Sequence, residues 1–361
     1  MIIQRLSRET LSLNCFFNCL KFSTVLILLQ LLQFQSLQAQ TSSKSKKISF
    51  PPNEEADAIV DRYKNVYGGQ VAVYAIKDSQ LLYQKETGEF NVNTQEEIGA
   101  LSSWFTAALV MQFVDQGKIK LDDKVSKYLP IFNKYSKGYI TIRHCLMHTT
   151  GIEADKGGVQ KFFQKTKFAS LEEQVDAFAS KHEIKNNPGQ EFYYSNIGLN
   201  IAARVLEVVG KKTFDRLVTE RIFRPLGMKR TSFASEVAAD PTSGARSSAT
   251  DYVRFLNMLL NKGTLNGKTV LSPKAVDQLL SMQPLELPKV YVPAAASQLD
   301  LAFGSWAVAN GGGQPKTFVS PGFFGSYAYL DLDRKIACAV ITKPTSKEDK
   351  GQIFEVVEAL K

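Results

Sequence analysis

The chain has 361 residues, 44% of them apolar by type, and a formal charge of +9. That length can bury one large core or two modest ones. The positive charge is spread, dense only at Lys44, Lys46 and Lys47. Nucleic-acid recognition needs a clustered basic patch, so that class is set aside; a mildly basic surface facing an anionic cell envelope fits the balance better.

The N-terminus has the order of an export signal. Arg5, Arg8 and Lys21 precede an apolar run at 22–32, and Ser36-Leu37-Gln38-Ala39 supplies a small-residue end. Residues 1–39 are therefore expected to be removed, leaving an exported protein, periplasmic or secreted; an uncleaved anchor is the alternative. The apolar run is short for a bilayer, and no span is expected after signal removal. Residues 40–51 are polar and basic and read as a tether to a domain over 52–361. Cys15 and Cys19 fall in the leader, while Cys145 and Cys338 lie far apart in different predicted elements and are expected to be buried free thiols. His144, His148 and His182 lack metal-ligand spacing, and no metal or cofactor is expected.

Residues 54–66 place Ala56, Ile59, Val60 and Tyr63 at helical spacing. Residues 70–76 read as a strand, and Lys77-Asp78-Ser79 turns the chain into a second strand at 81–85, forming a hairpin. A helix is predicted over about 100–117, opened by Gly99, Ala100, Ser102 and Ser103 and stopped by Gly117. Residues 141–151, TIRHCLMHTTG, read as a short helix ended by Gly151. Pro188-Gly189 breaks the chain ahead of Tyr193-Tyr194-Ser195-Asn196, and a helix follows at 197–209. Ser248, three residues before Asp251, is placed to cap another helix. Ser272-Pro273 starts a further one, with serine as cap and proline in the first turn. Strands are predicted at 301–309, 325–332 and 335–342, and a closing helix at 348–360. Strands at both ends with helices between them imply an α/β (α+β) chain: one antiparallel sheet flanked by helices, completed by distant segments, with an inserted helical lobe at roughly 101–240.

The stretch IGALSSWFTAALV at 98–110 resembles the active-site helix of the β-lactamase-related serine hydrolases, which include class C β-lactamases, penicillin-binding peptidases and esterases. Their stretch reads roughly Ile-Gly-Ser-x-Ser-Lys-x-Phe-Thr-Ala, and Ile98, Gly99, Ser102, Phe105, Thr106 and Ala107 match it. The segments HTTG at 148–151, YSN at 194–196 and RPLGM at 224–228 follow in the family's order, so the resemblance covers about 52–361. It implies the serine β-lactamase/DD-peptidase-like fold and acyl transfer, a chemistry that uses no cofactor. Fold does not fix activity, so the reactive groups are weighed one at a time.

The family's nucleophilic serine falls on Ala100 and its lysine on Ser103. The only Ser-x-x-Lys spacing in the chain is Ser43 to Lys46, in the polar tether. The second motif survives as Tyr194-Ser195-Asn196, with Tyr194 either sharing proton transfer or simply packing. The third, His-x-Gly-Phe-x-Gly, falls on Ser320-Pro321-Gly322-Phe323-Phe324-Gly325, so Ser320 replaces the histidine. His148 reads as structural. Ser103 has only Tyr194 as a candidate base, and a tyrosine with pKa of about 10 is a poor one. The backbone N–H groups of Ala100 and Phe323 remain where an oxyanion hole would be.

No catalytic set is intact. The relic site comprises Ala100, Ser103, Tyr194, Asn196, Ser320, Gly322 and Phe323. The expected function is that of an exported pseudoenzyme binding a peptide, a cell-wall fragment or a protein partner in the old cleft. The alternatives are an active serine hydrolase with a rearranged nucleophile and a structural partner protein. Ala100→Ser with Ser103→Lys is expected to restore weak acylation, which neither single change does.

Overall fold

The computed structural model describes residues 53–154, 167–233, 235–283, 286–309, 313–349 and 352–360. The chain divides into two units, Met1–Phe50 and Pro51–Lys361, and all described residues belong to the second. The expected leader, the tether and Ser43–Lys46 lie outside them.

Helix α1 (Glu54–Tyr63) is capped by Asn53, whose side chain accepts from the Ala56 N–H, and its acidic first turn complements the helix dipole. It gives way to a single tighter turn, Lys64–Tyr67, so the helix predicted at 54–66 ends in a different winding. Strands β1 (Val71–Lys77) and β2 (Gln80–Thr87) form the expected hairpin. Its two turn residues, Asp78 and Ser79, both have positive φ, which matches the twist of the flanking strands.

Helix α2 (Ser102–Asp115) follows, then α3 (Ile142–Leu146), α4 (Leu171–Lys181), α5 (Ile197–Gly210), α6 (Ala249–Leu260) and α7 (Pro273–Leu279). Ser248 accepts from the Asp251 N–H and Ser272 from the Ala275 N–H, so both expected caps form. Helix α2 has no side-chain cap, yet every residue from Ser102 to Phe113 is buried. Packing holds it in place, at roughly 1.5–3 kcal/mol for each large apolar side chain removed from water.

The sheet resumes with β3 (Asp300–Ala302), β4 (Ser305–Ala307), β5 (Thr317–Pro321), β6 (Tyr327–Asp331) and β7 (Ile336–Thr342). Its seven strands run in the order β2-β1-β7-β6-β5-β4-β3, every neighbouring pair antiparallel. The first and last strands therefore lie side by side, Val71 opposite Thr342 and Lys77 opposite Ile336. Alternation along β7 divides the core. Ala337, Ala339 and Ile341 join the cluster containing α2 and α6, while Ile336, Cys338 and Val340 join the one containing α1.

The structure corrects three expectations. The single strand at 301–309 is two short strands turned at Phe303-Gly304, where Gly304 (φ +72°) lies against the backbone of α2. The strand at 325–332 begins only at Tyr327, because residues 322–326 fold into a loop closed by Gly322 N–H donating to the Ser326 carbonyl. The closing helix shrinks to a tight turn, Gln352–Phe354, and α8 (Glu355–Glu358). Cys145 and Cys338 are buried free thiols, as expected. Among the described residues no helix is long and apolar enough to cross a membrane, and no group of three or more His, Cys, Asp or Glu could hold a metal ion.

Candidate functional site

The mouth of α2 is pinned by hydroxyl groups. Gly99–Leu101 makes one tight turn before the helix, with Gly99 at positive φ. Ser102 Oγ donates to the Gly99 carbonyl (2.6 Å) and accepts from the Ala245 N–H (3.0 Å). Tyr252 donates to the Leu101 carbonyl at 2.9 Å, and Thr106 to that of Pro241 at 2.6 Å. Ser103 Oγ donates to the Thr242 carbonyl at 2.9 Å and also hydrogen-bonds the Tyr194 phenol. Thr242 Oγ1 in turn donates to Asn200 Oδ1 at 3.2 Å. Both serines are thus committed to structural bonds, and the loop at 240–245 is fixed against the helix.

Tyr194 is buried, and burial pushes its phenol above the ordinary value; the Ser103 hydrogen bond offsets only part of that. A phenol in that state does not take a proton from serine at neutral pH. Its ring meets His148 at 4.5 Å, Phe323 edge-on at 5.4 Å and Trp306 at 5.8 Å between centroids. These aromatics leave a void of about 10 Å³, bordered by Ala100, Ser103, His148, Tyr194, Ser305, Trp306 and Ser320. That is room for one water molecule and nothing larger. Ser305 is buried there with Oγ unpartnered among the described residues, a polar group that costs about 1–3 kcal/mol unless solvated. Little space therefore remains beside Ala100 and Ser103.

The structure brings Ala100, Ser103, Tyr194 and Ser320 together around that void. Phe323, at φ +64°, packs on Tyr194 rather than lining it. Gly322 lies against the α2 mouth: a Cβ there would sit 2.7 Å from the Ser326 carbonyl and 3.1 Å from that of Ile98. Asn196 begins α5 half-buried, its side chain capping nothing and its carbonyl 3.4 Å from Thr242 Oγ1 as the longer arm of a shared bond. Sequence reasoning missed Trp306, Ser305 and Thr242, which come from two distant segments, β4 and the loop at 240–245. Only the scarcity of tryptophan marked one of them, since the chain has 2. A second, larger cavity of about 270 Å³ is lined by Gly99 and Gly322.

His148 is buried at φ +53°, with Nδ1 2.9 Å from the Ser195 carbonyl. Burial is the main cause that lowers it from 6.5 to about 4. The unfolded chain therefore takes up this proton first as pH falls. The stabilising effect is complete above 6.5 and is lost between 6.5 and about 4, a change of roughly 3 kcal/mol. His148→Asn keeps a residue that tolerates the left-handed backbone. Urea unfolding across that range is expected to give a shallower acid limb for the variant; equal slopes would refute the assignment.

The family model described as "Beta-lactamase" matches residues 56–360. The chain belongs to the β-lactamase family. Among curated proteins this family member is 28% identical over 195 residues to the D-alanyl-D-alanine-carboxypeptidase/endopeptidase AmpH of Escherichia coli K12, covering 50% of each chain. It is 26% identical over 173 residues to Protein flp of Staphylococcus aureus MW2, covering 45% of this chain and 34% of that protein. The match thus spans between a third and a half of those relatives' lengths. Among solved structures, a candidate β-lactamase from Bacteroides dorei DSM 17855 has a TM-score of 0.76 at 23% identity, covering 86% of this chain and 98% of that one. The octameric penicillin-binding protein homologue of Pyrococcus abyssi has a TM-score of 0.69 at 18% identity, covering 85% and 77%. These likenesses support the antiparallel sheet with flanking helices as the family's fold.

Proposed function

We propose that this member of the β-lactamase family binds a ligand without turning it over. The observation that carries the reading is the replacement of the Ser-x-x-Lys pair by Ala100 and Ser103, with Ser103 bonded to Thr242 and to the buried Tyr194. A serine nucleophile needs a base within reach, and removing members of such a unit typically costs on the order of 10⁶ in turnover. The peptide substrates named for AmpH make a peptide or cell-wall fragment the leading ligand class. The order of charge, apolar run and small residues at 1–39 supports an exported location.

One measurement tests both halves. The protein is recovered from cell envelope and culture medium, incubated with penicillin or a fluorophosphonate, and weighed intact. The expected mass lacks residues 1–39 and carries no adduct. A stoichiometric adduct would restore the hydrolase reading and its position would identify the nucleophile; a full-length mass would remove the cleaved leader.

A further inference from the structure

We propose that the 270 Å³ groove beside the mouth of α2 binds a small ligand carrying a primary ammonium group on an apolar stem. This goes beyond the ligand class named above and rests only on the non-hydrolytic binding reading. The void inside the relic site holds one water, so a ligand needs another place. The groove takes its walls from three segments: the approach to α2, the loop between β5 and β6, and the chain just after β7.

Two glycines, Gly99 and Gly322, line it and hold two of its walls in place. Gly99 is at positive φ, and Gly322 packs so closely on Ser326 and Ile98 that any Cβ would force the loop to shift. Phe324 and Pro344 supply apolar surface. Ser326 is buried with Oγ accepting from the Thr342 N–H at 3.3 Å, which leaves a second lone pair for a donor.

The charge sets the ligand class. Among the described residues Glu97 is the one charged side chain lining the groove. Its neighbour Glu96 approaches Arg246 at 3.7 Å, whereas Glu97 makes no ion pair among the described residues. Lys343 and Lys347 flank the third wall in sequence but do not line it. A carboxylate at the rim attracts a cation, by the modest amount of an exposed ion pair. The aromatic ring of Phe324 favours the same sign. The volume lies just below the usual range for drug-sized sites, which suits a single-ring amine.

Three probes of equal shape test this on the mature chain: benzylamine, benzyl alcohol and benzoate. Amide shift mapping at neutral pH is expected to show saturable benzylamine binding centred on Gly99, Gly322 and Ser326. Benzyl alcohol should bind about 5-fold more weakly, the worth of one exposed ion pair, and benzoate more weakly still. Glu97→Gln, an exposed position, should erase the benzylamine preference, while Glu96→Gln should keep it. Benzoate binding as well as benzylamine, shifts centred elsewhere, or no saturation would each overturn the proposal. Those failures leave the non-hydrolytic reading standing, whereas a fluorophosphonate adduct would overturn that reading whatever the amine does.

Discussion

Lysine at position 103 is expected to cost the fold about 3 kcal/mol and to leave the protein unlabelled, even with Ala100→Ser beside it. Ser103 is 3% exposed, and the void next to it is about 10 Å³. A lysine side chain needs several times that volume. It must displace Tyr194 or Trp306, which are packed against each other, and the change removes the hydroxyl that donates to Thr242. Burial would also disfavour the charged amine, since no carboxylate among the described residues lines the void. Ala100→Ser alone adds one atom and should cost under about 1 kcal/mol. Urea midpoints at constant slope measure the cost, and intact mass after a fluorophosphonate measures recovery. A double variant as stable as the parent and labelled at position 100 would show that the aromatic cluster yields, and that the filled site is a closed conformation of a working one.

Gly304→Ala is expected to cost about 2–4 kcal/mol, far more than a methyl group usually does. Its Cβ would sit 2.5 Å from the Ser103 carbonyl and 2.6 Å from the Ala107 Cβ, at a φ of +72° that L residues resist. Both obstacles are parts of α2, which is buried along its length and cannot retreat. The β3–β4 turn must move instead, carrying Trp306 away from Tyr194. Gly117→Ala is the control. It has a similar φ of +66° but open space around it, so only the backbone penalty of about 1 kcal/mol applies. Unfolding midpoints and a red-shifted tryptophan emission would report the difference. Equal costs at the two glycines would mean that the hairpin is not held by α2.

The contrast between those glycines explains what could be read from the sequence. Local chemistry was legible: Ser248 and Ser272 cap as their spacing implies, and Asp78-Ser79 turns the hairpin. The break at Gly304 was not, because its cause is a helix two hundred positions earlier in the chain. The same limit applied to the site. Ser320 and Tyr194 were found by motif, but the filling of the cleft depends on Trp306, His148 and Phe323 converging from separate elements. Glu97 carried no signal of its own; it matters through the walls that Phe324 and Pro344 complete.

The side-by-side placement of β1 and β7 has a consequence for how the molecule forms. Every rung between these strands joins opposite ends of the sequence, so the centre of the sheet cannot close until the last strand has been made. Until then the β1–β2 hairpin keeps an open, apolar edge, and the helices that cover the sheet have only part of a surface to dock on. Such long-range pairing slows folding and prolongs exposure of aggregation-prone surface. A chain cut anywhere before Ile336 lacks the strand that joins the hairpin to the other four, and is expected to collapse into inclusion bodies rather than persist as a smaller folded fragment.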